Sequence, residues 1–464
     1  MALSWRAVTL AAVGVAAAII WPAPGTVLLW ALVVVALCTL DFALAATPHR
    51  IGLKREPLAN VRRYEPTASR LVVVNESGRR LRGVVRDAWP PSAVGPMATN
   101  NLTVASARHP VILPDGDGVV VSSPLQPTRR GDIVAGPVTI RSFGPLGLAA
   151  RQVTMKVPKV LRVLPEFTAR KHLPARLARL QELDGRAAVQ VRGEGTEFDS
   201  LRQYVEGDDV RSIDWRASAR LPIPVAPTVG LAPQPASAVI NRIPPTTPSL
   251  VVRTWRPERD RAVLIVIDCG RTAAMRIGDE PRLDAEIEAA LLLAVLADRA
   301  GDRVQVLAFD RQAQAKVSRA SGGALLSQLA NALADVKPQL VQTDWPGLIA
   351  QTRRLVPHRA LVVILTAIEP AIVQTQILPA IGGLTATHQV LIASATDPAA
   401  RQLAGERGAD TIYDAAAANR MELARQTAAR TLRQRGITVL TAAAADLAPA
   451  VADEYLRLKA ARQL

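Results

Sequence analysis

The chain has 464 residues, of which 49% are hydrophobic but only 3% are aromatic, so two or three domains with cores of Ala, Leu and Val are expected. Its formal net charge of +16 would suit a nucleic-acid or a membrane partner. Only two cysteines occur, Cys38 and Cys269, which excludes a disulfide framework and favours a reducing compartment. The charge is uneven: residues 1–170 have 20 basic and 9 acidic side chains, whereas residues 262–464 have 22 and 20.

Two apolar runs open the chain, Leu3–Trp21 and Thr26–Ala46, with the Pro- and Gly-containing turn Trp21–Gly25 between them. A membrane-spanning helix needs about 20 apolar residues, so the second run is long enough and the first is marginal. A cleaved signal peptide is the alternative for the first run. The second run follows too soon for that, and no small-residue cleavage pattern precedes it. Residues 1–50 are therefore predicted to form a transmembrane helical hairpin with two spans.

The basic residues that flank the hairpin predict its orientation. Arg6 precedes the first run, and five basic residues follow the second: Arg50, Lys54, Arg55, Arg62 and Arg63. The positive-inside rule then places both ends in the cytoplasm, with the soluble body tethered to the inner (cytoplasmic) membrane of a bacterial cell. Anionic lipid head groups would account for the basic first third. Nucleic acid is therefore not predicted as a partner.

Residues 51–165 read as short strands separated by turn residues, which predicts a small all-β domain. Residues 166–260 are predicted to be a connecting region, with a helix over 166–184 and a polar motif over 195–220. Within that region, residues 222–248 contain eight prolines and no acidic residue, a composition that favours an extended or disordered insert.

From Arg261 onward, continuous apolar strands such as "AVLIVID" alternate with helices such as "AEIEAALLLAVLADRAG". This alternation predicts an α/β domain over residues 261–464, with a parallel, Rossmann-like sheet that helices cover on both faces. In such sheets, ligands bind at the carboxyl ends of the strands. Those ends are predicted to carry Asp268, Asp310 and Thr366.

The first strand ends in "DCGRT", in which Asp268 and Thr272 supply oxygen ligands of the kind that hard divalent cations prefer. A von Willebrand factor A-type adhesion site has D-x-S-x-S at this place. Gly270 stands where the first Ser of that pattern belongs, and Thr272 stands at the second.

The later loops supply the rest of such a site only in part. Thr343, with Asp344 beside it, is the candidate for the second-loop Thr, whereas Ala367 stands where an Asp is wanted and Glu369 lies two residues on. The predicted metal site is therefore degenerate. It consists of Asp268, Thr272 and Thr343, with Mg²⁺ or Mn²⁺ as the candidate cation.

Two enzymatic interpretations of the same stretch lack a required group. "DCGRT" is also similar to the D-x-D-x-T motif of haloacid-dehalogenase-like phosphatases, with Thr366 in the second motif, but Gly270 cannot act as the general acid. A tyrosine-phosphatase loop around Cys269 would need Arg where Met275 stands. No complete catalytic constellation is visible, so the chain is not predicted to be an enzyme. A phosphatase-like hydrolase that uses Asp268 is the alternative function.

The polar motif is "GTEFDSLRQYVEGDDVRSIDWRASAR", Gly195–Arg220. It resembles the motif that precedes the von Willebrand factor A-like domain of the domain of unknown function 58 family. The apolar hairpin and the β-rich segment fit that resemblance, whereas the proline-rich insert and the missing ligands depart from it. The matching residues with a charged side chain or a polar aromatic ring are Glu197, Arg202, Tyr204, Asp208, Asp209, Arg211, Asp214, Trp215 and Arg220.

The resemblance implies a membrane protein that works with a MoxR-type AAA+ ATPase in assembling or remodelling envelope-associated proteins. It implies no established enzymatic activity, and the client protein is not specified. For the motif itself, the density of alternating charges favours an ion-pair network, because Arg binds carboxylates bidentately. That network is interpreted as a joint between the domains, with a partner-contact surface as the functional alternative.

Overall fold

The computed structural model describes residues 2–95, 108–190, 197–204, 210, 213–219, 250–256, 261–318, 321–405, 408 and 412–461. These residues form a mixed α/β protein with an N-terminal apolar helical hairpin and several sheets.

The hairpin follows a two-residue strand that belongs to the β-rich region. The elements are β1 (Ala2–Leu3), α1 (Trp5–Ile20) and α2 (Pro24–Leu44). Within the described residues, one helical stretch, Pro24–Arg50, is long and apolar enough to cross a membrane, with a mean hydropathy of 2.5. Helix α1 has 16 residues and spans about 24 Å, less than the roughly 30 Å of a hydrocarbon core. One possible span is thus found where two were predicted, and the second span stays a prediction.

The hairpin is held together by close packing of a glycine against an indole. Trp30 Nε1 donates to the carbonyl oxygen of Leu10 at 3.1 Å. A Cβ atom on Gly14 would lie 2.0 Å from Trp30 Cδ1, so only glycine fits at this crossing. Most other large apolar side chains of α1 and α2 are exposed, as expected of helices that face lipid.

The β-rich region contains the predicted short strands and also several strands that the sequence did not reveal, which are short or lack clear alternation. The elements are β2 (Ile51–Arg55), β3 (Val61–Arg62), β4 (Thr67–Asn75), β5 (Leu81–Asp87), α3 (Pro91–Val94), β6 (Arg108–Leu113), β7 (Gly118–Leu125), β8 (Gly131–Val134), β9 (Val138–Phe143), β10 (Ala149–Met155) and β11 (Val160–Leu164).

These strands form three sheets, in the orders β1-β10-β9-β5-β6, β2-β4-β7 and β3-β11-β8. In β4 the buried and more exposed side chains alternate, so that Leu71 and Val73 point into a core shared with Val85 and Ile140 of the five-stranded sheet. Arg55 and Asp87 form a fully buried ion pair at 2.6 Å within this region.

The connecting region has a 3₁₀ helix at Thr168–His172, followed by α4 (Leu173–Gln190), β12 (Glu197–Gln203), α5 (Trp215–Ser218) and β13 (Val251–Arg256). The helix predicted over 166–184 is therefore confirmed, although its first turn is 3₁₀. Strands β12 and β13 pair in an antiparallel fashion across the long segment between them.

The C-terminal part contains one six-stranded sheet with helices on both faces. Its elements are β14 (Ala262–Asp268), β15 (Arg276–Ile277), β16 (Glu280–Pro281), α6 (Arg282–Arg299), β17 (Arg303–Phe309), β18 (Ala313–Val317), α7 (Gly323–Ala334), α8 (Trp345–Leu355), β19 (Ala360–Leu365), α9 (Pro370–Ile372), a π-helix at Val373–Ile377, α10 (Leu378–Thr385), β20 (Gln389–Thr396), α11 (Pro398–Gly405), α12 (Ile412–Gln434), β21 (Thr438–Ala443) and α13 (Ala444–Ala460).

The strand order of this sheet is β18-β17-β14-β19-β20-β21, and all neighbours are parallel except β17 and β18. The prediction of an all-parallel sheet was thus wrong at one edge. A short turn after β17 returns the chain as the antiparallel strand β18, whose exposed residues gave no apolar signal. Alternate residues of β14, such as Ile265 and Val266, enter two separate cores, which explains the continuous apolar strands.

Candidate functional site

Three neighbouring strands of the six-stranded sheet bring polar residues to one edge. Asp268 is the last residue of β14, Asp310 directly follows β17, and Thr366 directly follows β19. Because β14 lies between β17 and β19 and all three are parallel, their carboxyl ends meet. The predicted grouping of these residues at one edge is therefore present.

The carboxylate of Asp268 lies at the centre of this edge and is only 2% exposed. Its Oδ1 atom accepts hydrogen bonds from Thr343 Oγ1 at 2.5 Å and from the Gly270 backbone N–H at 2.9 Å. Its Oδ2 atom accepts from Thr366 Oγ1 at 2.6 Å and from Thr272 Oγ1 at 3.2 Å. Four donors from three loops thus satisfy one buried carboxylate, as a buried charge requires.

The sequence singled out Thr272 and Thr343 for this site, and the structure brings both of them to Asp268. The sequence placed Thr366 at the correct strand end but did not predict its direct contact with Asp268. Thr366 follows the apolar strand β19 immediately and is 2% exposed. A hydroxyl directly after a buried parallel strand was the signal available.

Gly270 is part of the packing of this cluster rather than an empty position. A Cβ atom there would lie 2.2 Å from Thr343 Oγ1, 3.0 Å from the Val341 carbonyl oxygen and 3.2 Å from Asp268 Oδ1. Contacts below 3.0 Å require a neighbour to move. A Ser at position 270, as the adhesion-site pattern requires, would therefore clash with Thr343 in its present place.

A second carboxyl group lies beneath the cluster on α6. Glu286 is 0% exposed, and neither of its carboxyl oxygens has a hydrogen-bond partner. Burial raises the pKa of Glu286 well above its ordinary value, the charge of Asp268 acts in the same direction, and Arg282 opposes both. The raised pKa favours the neutral, protonated form of the Glu286 carboxyl group beside Asp268.

The other candidate nucleophile of this edge is not activated. Cys269 is 0% exposed, and its thiol donates to the Ile267 carbonyl oxygen at 3.5 Å. Burial raises the pKa of Cys269 above its ordinary value, and the nearby carboxylate of Asp268 raises it further. A thiol in this environment is a buried structural group rather than a nucleophile.

A groove of about 500 Å³ opens beside the cluster, between α8 and the π-helix that leads into α10. Thr343 and Asp344 line its end nearest Asp268, and Trp345, Arg353 and Thr375 lie along it. Asp344 caps α8 by accepting from the Gly347 N–H at 3.1 Å. The groove joins the candidate site to the surface of the domain.

The donor set fits a divalent cation poorly. The cluster contains one carboxylate, and all three hydroxyl groups already donate to it. Ala367, at the position where a second carboxylate is wanted, is itself buried. In the part of the chain that the structure describes, no group of three or more His, Cys, Asp and Glu residues is arranged to hold a metal ion. A cation would have to displace hydrogen bonds that are already made.

The polar motif is described only in part. Asp208, Asp209, Arg211 and Arg220 lie outside the described residues, and Glu197 and Arg202 are placed as members of β12. Asp214 accepts from the N–H groups of Arg216 and Ala217 at 3.0 Å each, and it thereby caps α5. Trp215 is 65% exposed. The proposed role of this motif as a joint or partner surface remains a prediction.

The proline-rich insert, residues 222–248, lies outside the described residues, whereas residues on its two sides are described. The Tyr204 N–H donates to the Leu250 carbonyl oxygen at 2.7 Å. The Val251 N–H donates to Ser218 Oγ at 2.9 Å. Described residues on the two sides of 222–248 are thus hydrogen-bonded to each other.

Among the described residues, the ion pairs between the β-rich and α/β regions come from elsewhere in the sequence. Arg63 contacts Asp284 at 2.5 Å, Glu280 at 2.7 Å and Glu166 at 3.1 Å, and Arg130 contacts Asp284 at 3.2 Å. Burial alone would lower the pKa of Arg63, but Asp284 and Glu280 raise it above its ordinary value. Sequence reasoning missed this cluster, because its ion pairs join residues that lie 103 to 221 positions apart in the chain.

Comparisons with known proteins identify a family but no activity. The family model described as "Protein of unknown function DUF58" matches residues 246–442, from just before β13 into β21. No curated protein matches the chain. The ASH / PapD-like domain of human CEP192 (PapD-like domain 7) is similar at 11% identity over 25% of this chain and 85% of that chain, with a TM-score of 0.17. That score is too low to carry an argument.

Proposed function

Because residues 246–442 match the family model of DUF58, we propose that this chain is a membrane-anchored scaffold that binds other proteins through its α/β domain. In this proposal the domain is von Willebrand factor A-like, and both apolar helices span the inner membrane of a bacterial cell. The soluble body faces the cytoplasm and works there with a MoxR-type AAA+ ATPase on envelope-associated client proteins.

The observation that carries the proposal is the cluster around Asp268. It joins the β14 loop, the loop before α8 and the end of β19 through hydrogen bonds to a single carboxylate. A partner that fills the adjacent groove would contact Thr343 and could shift all three loops together. The architecture supports a von Willebrand factor A-like assignment, because the sheet presents these loops at its carboxyl edge.

The arrangement favours binding over catalysis. His358 and His388 precede β19 and β20, so both lie at the amino edge of the sheet, opposite Asp268. Asp268 is buried, and both of its oxygens accept hydrogen bonds, which leaves no free nucleophile for a phosphatase-like reaction. No specific observation favours the hydrolase alternative.

The partner proposal is tested by a matched pair of arginine substitutions. Thr375 lines the groove and Thr427 lies on α12, and each hydroxyl donates to the carbonyl oxygen four residues earlier in its helix. Both side chains are exposed, so Thr375→Arg and Thr427→Arg should fold equally well. We expect the full chain to bind a MoxR-type ATPase from the same genome, and Thr375→Arg alone to weaken binding at least tenfold.

Binding would be measured by biolayer interferometry on the full chain in nanodiscs, with and without ATP. Absence of binding by the wild-type chain would reject the ATPase partnership. Equal binding by the two variants would place the contact surface outside the groove. Increased ATPase activity on addition of the chain would support a functional complex.

Mg²⁺ and Mn²⁺ remain the candidate cations, and calorimetric titration of the full chain decides between an active and a closed site. We expect no saturable heat, because the Thr hydroxyl groups already donate to Asp268. Saturable binding that Asp268→Ala abolishes would contradict this expectation and make partner capture metal-dependent. Asp279→Ala, at a fully exposed position, is the control for loss of one carboxylate.

A further inference from the structure

The end of α2 is fixed to the β-rich region by a buried carboxylate. Asp41 is 0% exposed although it lies in the most apolar helix of the chain. It accepts three backbone hydrogen bonds of 2.7–2.9 Å from the turn between β9 and β10. The donors are the N–H groups of Leu146, Leu148 and Ala149. This acidic residue therefore ties the helix to the domain and does not face lipid.

Two arginines of the β-rich region hold the next two residues of the same helix. Arg151 Nε donates to the Phe42 carbonyl oxygen at 2.9 Å, and its guanidinium lies 4.9 Å from the centre of the Phe42 ring. Arg79 Nη1 donates to the Ala43 carbonyl oxygen at 2.5 Å. Cations at a helix C-terminus satisfy carbonyl groups that lack helical partners and match the helix dipole.

The start of the hairpin is attached to the same turn. The Ser4 N–H donates to the Leu148 carbonyl oxygen at 2.9 Å, and Ser4 Oγ donates to the Gly147 carbonyl oxygen at 2.5 Å. Strand β1 also pairs with β10. Both ends of the hairpin are thus bound to one face of the β-rich region. That face therefore lies at the level where the apolar surface of the hairpin ends.

Exposed arginines surround this attachment point. Arg6 begins α1, Arg50 follows the end of α2, and Arg79 and Arg80 occupy the turn after β4. Three acidic residues lie in the same turns, namely Glu76, Asp115 and Asp117, and Asp115 accepts from the Gly78 N–H. The four arginines, called here the arginine collar, leave an excess of positive charge at the level where an inserted hairpin meets lipid head groups.

We propose that the arginine collar binds the phosphate groups of anionic phospholipids and thereby seats the β-rich region on the bilayer in one orientation. This inference rests on the proposed membrane insertion of the hairpin. Guanidinium groups bind phosphate oxygens bidentately, so they suit lipid head groups as ligands. Each arginine near an anionic surface contributes on the order of fivefold to lipid preference.

The test uses Trp fluorescence of the full chain reconstituted in bilayers. Trp5 and Trp21 are 72% and 70% exposed on the hairpin, so brominated lipids that surround it will quench their emission. Quenching by brominated phosphatidylglycerol is compared with quenching by brominated phosphatidylcholine, which gives the relative association of the anionic lipid. We expect a preference for phosphatidylglycerol of at least tenfold at an ionic strength of about 0.1 M, where the Debye length is about 10 Å.

The informative variant is Arg50→Gln combined with Arg80→Gln, which removes two collar charges and leaves the Arg79 contact with Ala43 intact. Its matched control is Arg70→Gln combined with Arg86→Gln. Arg70 lies five positions before the end of β4, and Arg86 lies five positions after the start of β5. Both are therefore roughly 17 Å from the turn that contains Arg79 and Arg80, which exceeds the Debye length of about 10 Å at 0.1 M salt. We expect the collar variant to lose most of the preference and the control to keep it.

The outcomes separate this inference from the insertion on which it rests. No quenching by either brominated lipid would mean that the hairpin does not enter the bilayer. Quenching without lipid preference, or equal loss in the collar and control variants, would overturn the collar and leave insertion standing. Loss of the preference on adding inorganic phosphate, but not chloride at equal ionic strength, would identify free phosphate as the ligand and also overturn the proposal.

Discussion

The substitution Gly270→Ala tests the packing of the Asp268 cluster most directly. The added Cβ would lie 2.2 Å from Thr343 Oγ1, so the Thr343 hydroxyl must leave its place 2.5 Å from Asp268 Oδ1. Losing a hydrogen bond to a buried charge costs about 1.5–3 kcal/mol. Overpacking a close-packed site adds about 1–3 kcal/mol. The expected loss of stability is therefore roughly 2.5–6 kcal/mol.

The measurement is calorimetric unfolding of the full chain in detergent micelles, with the transition of the α/β region followed. For a region of this size, a loss of roughly 2.5–6 kcal/mol lowers the melting temperature by on the order of 10 °C. The matched control is Gly382→Ala. Gly382 lies in α10 with no heavy atom within 4 Å of the added Cβ, so that variant should be neutral or slightly more stable.

A double-mutant cycle adds a second criterion. Thr343→Ala removes the atom that blocks the Cβ and costs about 1.5–3 kcal/mol by itself. In that background Gly270→Ala should cost less than about 1 kcal/mol, which gives a coupling energy of at least about 1.5 kcal/mol. If Gly270→Ala is as stable as Gly382→Ala, or if the two losses are additive, the described geometry is wrong.

Three further predictions concern other parts of the chain. Because burial raises the pKa of Glu286, folding takes up a proton above the unfolded pKa, and stability falls as pH rises toward the folded pKa. Glu286→Gln should therefore flatten the decline in melting temperature as the pH rises above the ordinary pKa of a glutamate, and an unchanged slope would contradict this. Replacing residues 222–248 by a short Gly-Ser linker should shift the melting temperature by less than about 3 °C, because the flanks are already hydrogen-bonded neighbours and loop length costs little. A large loss of stability would assign the insert a structural role. Gly14→Leu should separate the two helices at Trp30 and shift the fluorescence of Trp30. Gly25→Leu should leave that fluorescence unchanged, because no heavy atom lies within 4 Å of a Cβ atom at Gly25.

The amino-acid sequence by itself determined the order of the regions. Apolar runs predicted the N-terminal hairpin, alternation predicted strands such as β4, and continuous apolar strands between helices predicted the α/β region. These signals are local, because each element buries its own face. The same logic failed at β18, an edge strand whose side chains are mostly exposed and therefore carry no apolar pattern.

The tertiary structure decided which polar residues work together. Asp268 and Thr366 are 98 positions apart and become neighbours only because β14 and β19 pair in parallel. Arg63 meets Asp284 across 221 positions for a similar reason. The sequence placed Asp268 at a strand end, but it could not show that Gly270 makes room for Thr343. Close packing depends on the distances between loops, which no local sequence pattern records.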